Sequence, residues 1–138
     1  QYFFNEERDN EDSGDVEIQT DSGLKICLKL LGDGESVGAY SGELIVPLSF
    51  EIGDGQRASW QKLPLNNMIN FAGKKIVGID AICNGYQNPD SMLLAGWQVK
   101  FDSGEYFVYY NCDDSARILF NEQPNKNMDH ANIRWQPV

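Results

Sequence analysis

The sequence predicts an all-β protein, an antiparallel β-sandwich or partly open barrel of about eight short strands. Three observations carry this. Apolar residues recur with period two over most of the chain beyond Val16. Turn formers punctuate that pattern at short intervals. No segment shows a helical period long enough to cross over between parallel strands. A single short helical turn around 58–63, stopped by Pro64, would make the fold a small α+β variant.

Taken in order, residues 1–15 read as an acidic N-terminal arm with an apolar tip, Tyr2-Phe3-Phe4, and residues 16–138 as one β domain. Leu24, Ile26, Leu28 and Leu30 alternate with Lys25, Cys27 and Lys29, the pattern of a half-buried strand. Leu44, Val46, Leu48, Phe50 and Ile52 continue the same period. Pro47 cannot donate to a ladder, so this strand belongs at an edge or is bulged. The glycines of "GDG" at 53–55 end it. "KKIVGIDAIC" is a continuous apolar run suited to a central strand. "ARILF" and "NIRWQPV" supply the last two strands.

The most informative stretch is FDSGEYFVYYNCDD at 101–114. A three-residue loop, Asp102-Ser103-Gly104, fits a type I turn followed by a bulge, with Gly104 left-handed. That turn pairs Phe101 with Glu105, Val99 with Phe107 and Trp97 with Tyr109, all on one face. Gly96, Gln98 and Lys100 then share the other face with Tyr110, Val108 and Tyr106. With the first face assigned to the core, the second either lies under another layer of the fold or is an exposed interaction patch.

Net charge is −10, and it is uneven. Residues 1–22 hold eight acids and one base, leaving 13 acids and 10 bases in the rest. A chain of this charge without a clustered basic face is unsuited to nucleic acid or anionic membrane, and suited to a basic protein partner. No apolar run approaches the ~20 residues that span a bilayer, so membrane insertion is not expected. Cys27, Cys83 and Cys112 are too few for a disulfide scaffold, and free thiols suit the cytoplasm. Export, with a leader removed before Gln1, is the alternative, and Cys83–Cys112 is then the pair to bridge.

Catalytic signals are weak. Asp113-Asp114 is an acidic pair after a strand, and Asp is common in turns for its capping side chain. His130 is the only histidine and stands in a polar loop, with no nucleophile motif to accompany it. The glycine-rich "GDGESVG" lacks a phosphate-binding lysine and does not open a helix. Neither a zinc nor a calcium pattern is present. No catalysis, cofactor or metal is expected. A hydrolase using Asp113, Asp114 or His130 is the weakest of the readings.

The run "GWQVKFDSGEYFVYYNCDDSARILF" resembles the C-terminal halves of small bacterial immunity proteins that neutralise polymorphic and contact-dependent toxins. Trp97, Phe101, Gly104, Tyr109, Asn111 and Asp114 fit that pattern, whereas Cys112-Asp113 replaces the more usual glycine. "LIVPLSFEIGDGQRASWQKL" is similar to the strand-then-Trp segment of such proteins, and the two stretches cover about a third of the chain. The resemblance implies a protein-binding module, an inhibitor that covers a basic toxin domain without catalysis. The partner surface expected from this reading is Tyr106, Val108, Tyr110, Asp113, Asp114 and Lys100. The alternative is an exported β-sandwich serving as a glycan-binding module or a subunit of a surface assembly.

Overall fold

The structure, a computed structural model, describes residues 2–4, 7–8, 14–85, 92–112, 115–124 and 133–137. Backbone pairing sorts them into three antiparallel sheets, none closed into a barrel. The largest holds β8 (Ile76–Gly85), β9 (Met92–Phe101), β10 (Tyr106–Cys112), β11 (Ser115–Phe120) and β12 (Ile133–Pro137), in the order β11-β10-β9-β8-β12. Facing it is a three-stranded sheet of β3 (Val16–Gln19), β4 (Lys25–Leu30) and β5 (Val37–Ser41). The third sheet joins β1 (Tyr2–Phe4), β2 (Glu7–Arg8), β6 (Phe50–Gly53) and β7 (Gln56–Trp60), in the order β2-β1-β7-β6. One 3-10 helix, Asn66–Phe71, is the only helix among the described residues. The all-β expectation holds, with twelve strands among the described residues rather than about eight, because short pieces such as β1, β2 and β6 each count.

The β9–β10 hairpin has the register its turn demands. The Phe101 N–H donates to the Glu105 carbonyl at 2.9 Å, and the Gly104 N–H to the Phe101 carbonyl at 3.0 Å. Gly104 takes φ +84, where a Cβ would be strained. Val99 then pairs with Phe107 and Trp97 with Tyr109. Their shared face meets Val16, Leu28 and Val37 of the smaller sheet, and this is the main core. Phe107 is 1 % exposed and Tyr109 0 %. Enclosing an aromatic ring this way stabilises by roughly 1.5–3 kcal/mol. Phe71, carried in by the 3-10 helix, caps the cluster with its ring 4.6 Å from Phe101 and 5.9 Å from Phe120.

The opposite face of the large sheet forms a second apolar cluster of Ile82, Val108, Tyr110 and Cys112, edged by Ala95, Tyr106 and Leu119. Gly96 lies in register between Ile82 and Tyr110. A Cβ there would stand 2.6 Å from the Tyr109 carbonyl oxygen, 2.8 Å from Tyr110 Cβ and 2.9 Å from Ile82 Cδ1. Glycine is thus required by close packing across three strands, not by a turn.

Two expectations are corrected. The run 44–52 is a strand only from Phe50, and Leu44–Ser49 has no regular structure. Pro47 withholds a donor in mid-run, and the ladder begins only beyond it. The expected edge or bulge does appear, since β6 is an edge strand with a register shift between Glu51 and Gly53. The helical turn expected at 58–63 is instead the end of β7, whose backbone is paired on both sides, with β6 and β1. Asp54 at φ 52 and Gly55 at φ 73 make the tight two-residue connection that folds β7 back onto β6. The three cysteines are buried and free, so Cys83 and Cys112 are not bridged.

Gly96→Ala should lower the unfolding free energy by about 1–3 kcal/mol, the usual cost of overpacking. Gly32→Ala, where an added Cβ meets nothing within 4 Å, should stay within about 0.5 kcal/mol of the parent. Urea titration of the two variants checks both.

Candidate functional site

The residues expected to form a partner surface separate once their surroundings are seen. Val108 is 0 % exposed and Tyr110 6 %, so this pair faces the protein's own interior. They pack with Ile82 and Cys112 in one apolar cluster and offer a partner almost no surface. Tyr106 is half-buried at the edge of the same cluster. Lys100 is partly exposed and forms an ion pair with Asp80, its diagonal neighbour across β8 and β9. Asp113, Asp114 and His130 lie outside the described residues. The second face of the hairpin is therefore an inner layer, and of the expected surface only Tyr106 and Lys100 are shown at least partly open to solvent.

Exposed apolar surface gathers elsewhere. Ile45 is 83 % exposed, Leu48 90 %, Phe50 53 % and Ile52 48 %. All four stand on the strip 44–53, which leads into the edge strand β6 and ends in its hairpin turn. Phe50 leans on Trp60 of β7, ring centroids 5.8 Å apart, so its far side is held towards solvent. Glu43, Glu51 and Asp54 flank these residues and are exposed. One signal for this strip was present in the sequence. Ile45 breaks the alternation of a half-buried strand, making Leu44-Ile45-Val46 apolar on both sides.

A second apolar feature lies between the two facing sheets and the residues 61–65 and 71–75. It is a cleft of about 1150 Å³ lined by Ile18, Leu28, Leu65, Met68, Phe71 and Val99 among others. Ile76 and Ile79 of β8 line it and remain partly exposed. The indole N–H of Trp97, another lining residue, is enclosed without an acceptor.

Four charged groups tie the start of the strip to the rim of this cleft. The Leu44 N–H donates to Glu17 Oε2 at 2.6 Å. Lys62 Nζ lies 3.1 Å from Glu17 Oε2 and 3.5 Å from Glu43 Oε1. Lys25 Nζ lies 3.1 Å from Glu43 and 3.7 Å from Glu17. The Leu44 N–H, then Lys62, hold the Glu17 carboxyl below the ordinary glutamate value. Lys25, then Lys62, does the same for Glu43. On the opposite rim, Lys74 pairs with Glu105 and sits over the Phe71 ring, 5.2 Å from its centroid. Deeper in the fold, burial raises the Tyr109 hydroxyl pKa, with the Asp15 carboxylate adding to it, so the phenol stays neutral.

Among the described residues no three His, Cys, Asp or Glu side chains gather as a metal site, and no helix is long and apolar enough to cross a membrane. What the arrangement offers is apolar contact area bordered by carboxylates. Comparison with protein-family models, with curated proteins and with solved structures finds no match to this chain.

The tether on the strip should titrate. Glu17 has a folded pKa below its unfolded one, so the interaction is complete above the ordinary value of 4.5 and is lost as pH falls through the depressed value. The Leu44 amide resonance, followed by NMR on acidification, should move with a midpoint below 4.5. Glu17→Gln should abolish that step while the rest of the spectrum keeps its dispersion.

Proposed function

We propose that the protein is a binding module that acts without chemistry: an immunity-type inhibitor whose exposed strip 44–53 covers a basic toxin domain. The observation that carries this reading is the exposure of Ile45 and Leu48 on the irregular run before β6 and of Phe50 and Ile52 on β6 itself, an edge strand among the described residues. Large apolar side chains displayed together on an unpaired edge are costly in an isolated protein, since they invite strand pairing and aggregation. A partner that seats them removes that cost. Among the described residues no strand pairs with the outer edge of β6, so that edge can take a partner strand, and the side chains supply the apolar centre of an interface.

Charge selects the kind of partner. Glu51 and Asp54 stand beside the apolar residues, Glu43 is paired with Lys25 and Lys62, Arg57 lies across from Glu51, and the chain as a whole carries −10. A second copy would place like charges against one another, whereas a basic domain would be drawn in and oriented. The resemblance of residues 96–120 to immunity proteins supports the same class of partner. The mode proposed differs from the one expected from sequence, because Val108 and Tyr110 are enclosed.

Ile45→Asp combined with Leu48→Asp should weaken binding to the cognate toxin domain by more than ~2 kcal/mol, about thirtyfold in Kd. The variant should keep its urea midpoint, because both side chains are exposed. The reading expects a basic toxin domain encoded beside this gene, and lack of one would overturn the function; coexpression with it should rescue growth with the parent chain and fail with the variant. Rescue by the double variant would overturn the placement, and toxicity in the presence of the parent chain would overturn the function. Tyr110→Ala should instead cost about 3–5 kcal/mol of folding stability, measured by urea titration without any partner.

A further inference from the structure

We propose that the open edge of β8 at residues 76–79 is a second strand-accepting site, distinct from the strip 44–53. Its occupant is a short extended segment of a partner polypeptide whose alternate side chains are apolar. The site stands independently of the function read from the strip.

Along one side β8 pairs with β9 from Ile76 to Gly85. On its other side β12 reaches only from Asn84 to Asp80, where Pro137 is the last partner. Among the described residues no strand lies beside 76–79 on that side. The backbone there is turned towards the gap. Lys75 uses both its groups on the β9 side: its N–H donates to Asp102 Oδ1 at 3.2 Å, and its carbonyl accepts from the Asp102 N–H at 2.9 Å. Backbone groups change sides from one residue of a strand to the next, so those of Ile76 point away from β9. The facing strand agrees. Phe101, opposite Ile76, turns its N–H to the Glu105 carbonyl on the far side, at 2.9 Å. Val99 stands two residues from Phe101 and shares its orientation, so its opposite number Ile79 is turned outward as well. An edge with outward groups and no neighbour is what strand addition uses.

Side chains decide what the added strand carries. Ile76 and Ile79 line the cleft and are 44 % and 37 % exposed, and Leu63, on another of its walls, is 39 % exposed. Residues opposite one another on adjacent strands share a face. A strand on this edge therefore sends every second side chain over the cleft, against Ile76 and Ile79, and apolar residues there gain by burial. Charge makes no selection, since Asp15, Glu17 and Asp21 line the cleft together with Lys62, Lys74 and Lys75. A small apolar molecule could cover the same walls, but only a polypeptide also pairs with the outward groups of Ile76 and Ile79. The contact is short. Four residues span about 13 Å at ~3.3 Å each, and the register shift between Ile76 and Gly78 takes Val77 out of the ladder.

The test is titration of the full chain, labelled with 15N, with three probes, acetyl-Thr-X-Thr-X-Thr-X-Lys-amide with X as valine, leucine or phenylalanine. At least one should bind saturably below about 1 mM and slow hydrogen exchange at the Ile76 and Ile79 amides more than about tenfold. Methylating alternate peptide nitrogens of that probe should abolish binding for one set and leave it within about twofold for the other, because only one set faces β8. Ile76→Asp should weaken it about tenfold, whereas Ile45→Asp with Leu48→Asp should leave it unchanged. Absence of saturable binding by all three probes overturns the proposal, and so does equal tolerance of the two methylated sets. Protection at Phe50 and Ile52 in place of Ile76, or loss of binding in the strip variant, moves the probe to β6 and overturns this site. Protection of the Ile76 amide that grows with protein concentration without any peptide assigns the edge to a second copy and overturns the occupant. None of these results depends on a toxin domain, so this site and the function read from the strip fail or stand separately.

Discussion

The register of one hairpin is the constraint on which the rest of this molecule depends. Asp102-Ser103-Gly104 allows one close connection between β9 and β10, because only Gly104 tolerates the left-handed backbone that ends the turn. Side chains in a strand alternate strictly, so this local choice decides both layers of the fold at once. It sends Phe101, Phe107 and Tyr109 towards the smaller sheet and Val108 and Tyr110 to the other side. A slip of one residue would exchange the two sets, and would push a side chain other than Gly96 into the 2.6–2.9 Å gap between Tyr109, Tyr110 and Ile82.

Because β10 is apolar on both faces, it sits in the interior of the fold, and the molecule's displayed apolar surface arises elsewhere. The strip 44–53 is pinned at its start by Glu17 and at its end by the two-residue turn of Asp54 and Gly55. Between those points Pro47 and the edge position of β6 leave it without a covering strand among the described residues. The cleft has a related origin. Phe71, packed on Phe101, lines it, and so do Ile76 and Ile79, which stay partly wet. Carboxylates and lysines then border both features, and their pairing decides which charges are left to recognise something else.

What could be read in advance was local. The β9–β10 pairing and β4 followed from turn chemistry and period two, and the central placement of β8 from a continuous apolar run, signals contained within about a dozen residues each. The strip was misread because Leu44, Val46, Leu48, Phe50 and Ile52 alternate just as a core-facing strand does. Alternation reports that one side is apolar, without saying what lies against it. The helical turn expected at 58–63 failed for a different reason. Residues 56–60 have weak local preference, and pairing with β6 and β1 supplied the decision. Phe71 gave no local sign of its role, since its contacts with Phe101 and Phe120 join residues far apart in the chain.

The sequence by itself determined the all-β class, the hairpin register and the net acidic character. These depend on residue type and spacing, which need no knowledge of neighbours. Only the tertiary structure decided which apolar faces are covered. It enclosed Val108 and Tyr110, exposed Ile45 and Leu48, and left a cleft lined from both sheets and from residues 61–65 and 71–75. The physical reason is that burial belongs to a pair of surfaces. A strand carries half of that information in its own side chains, and the other half arrives only when the chain returns to meet it.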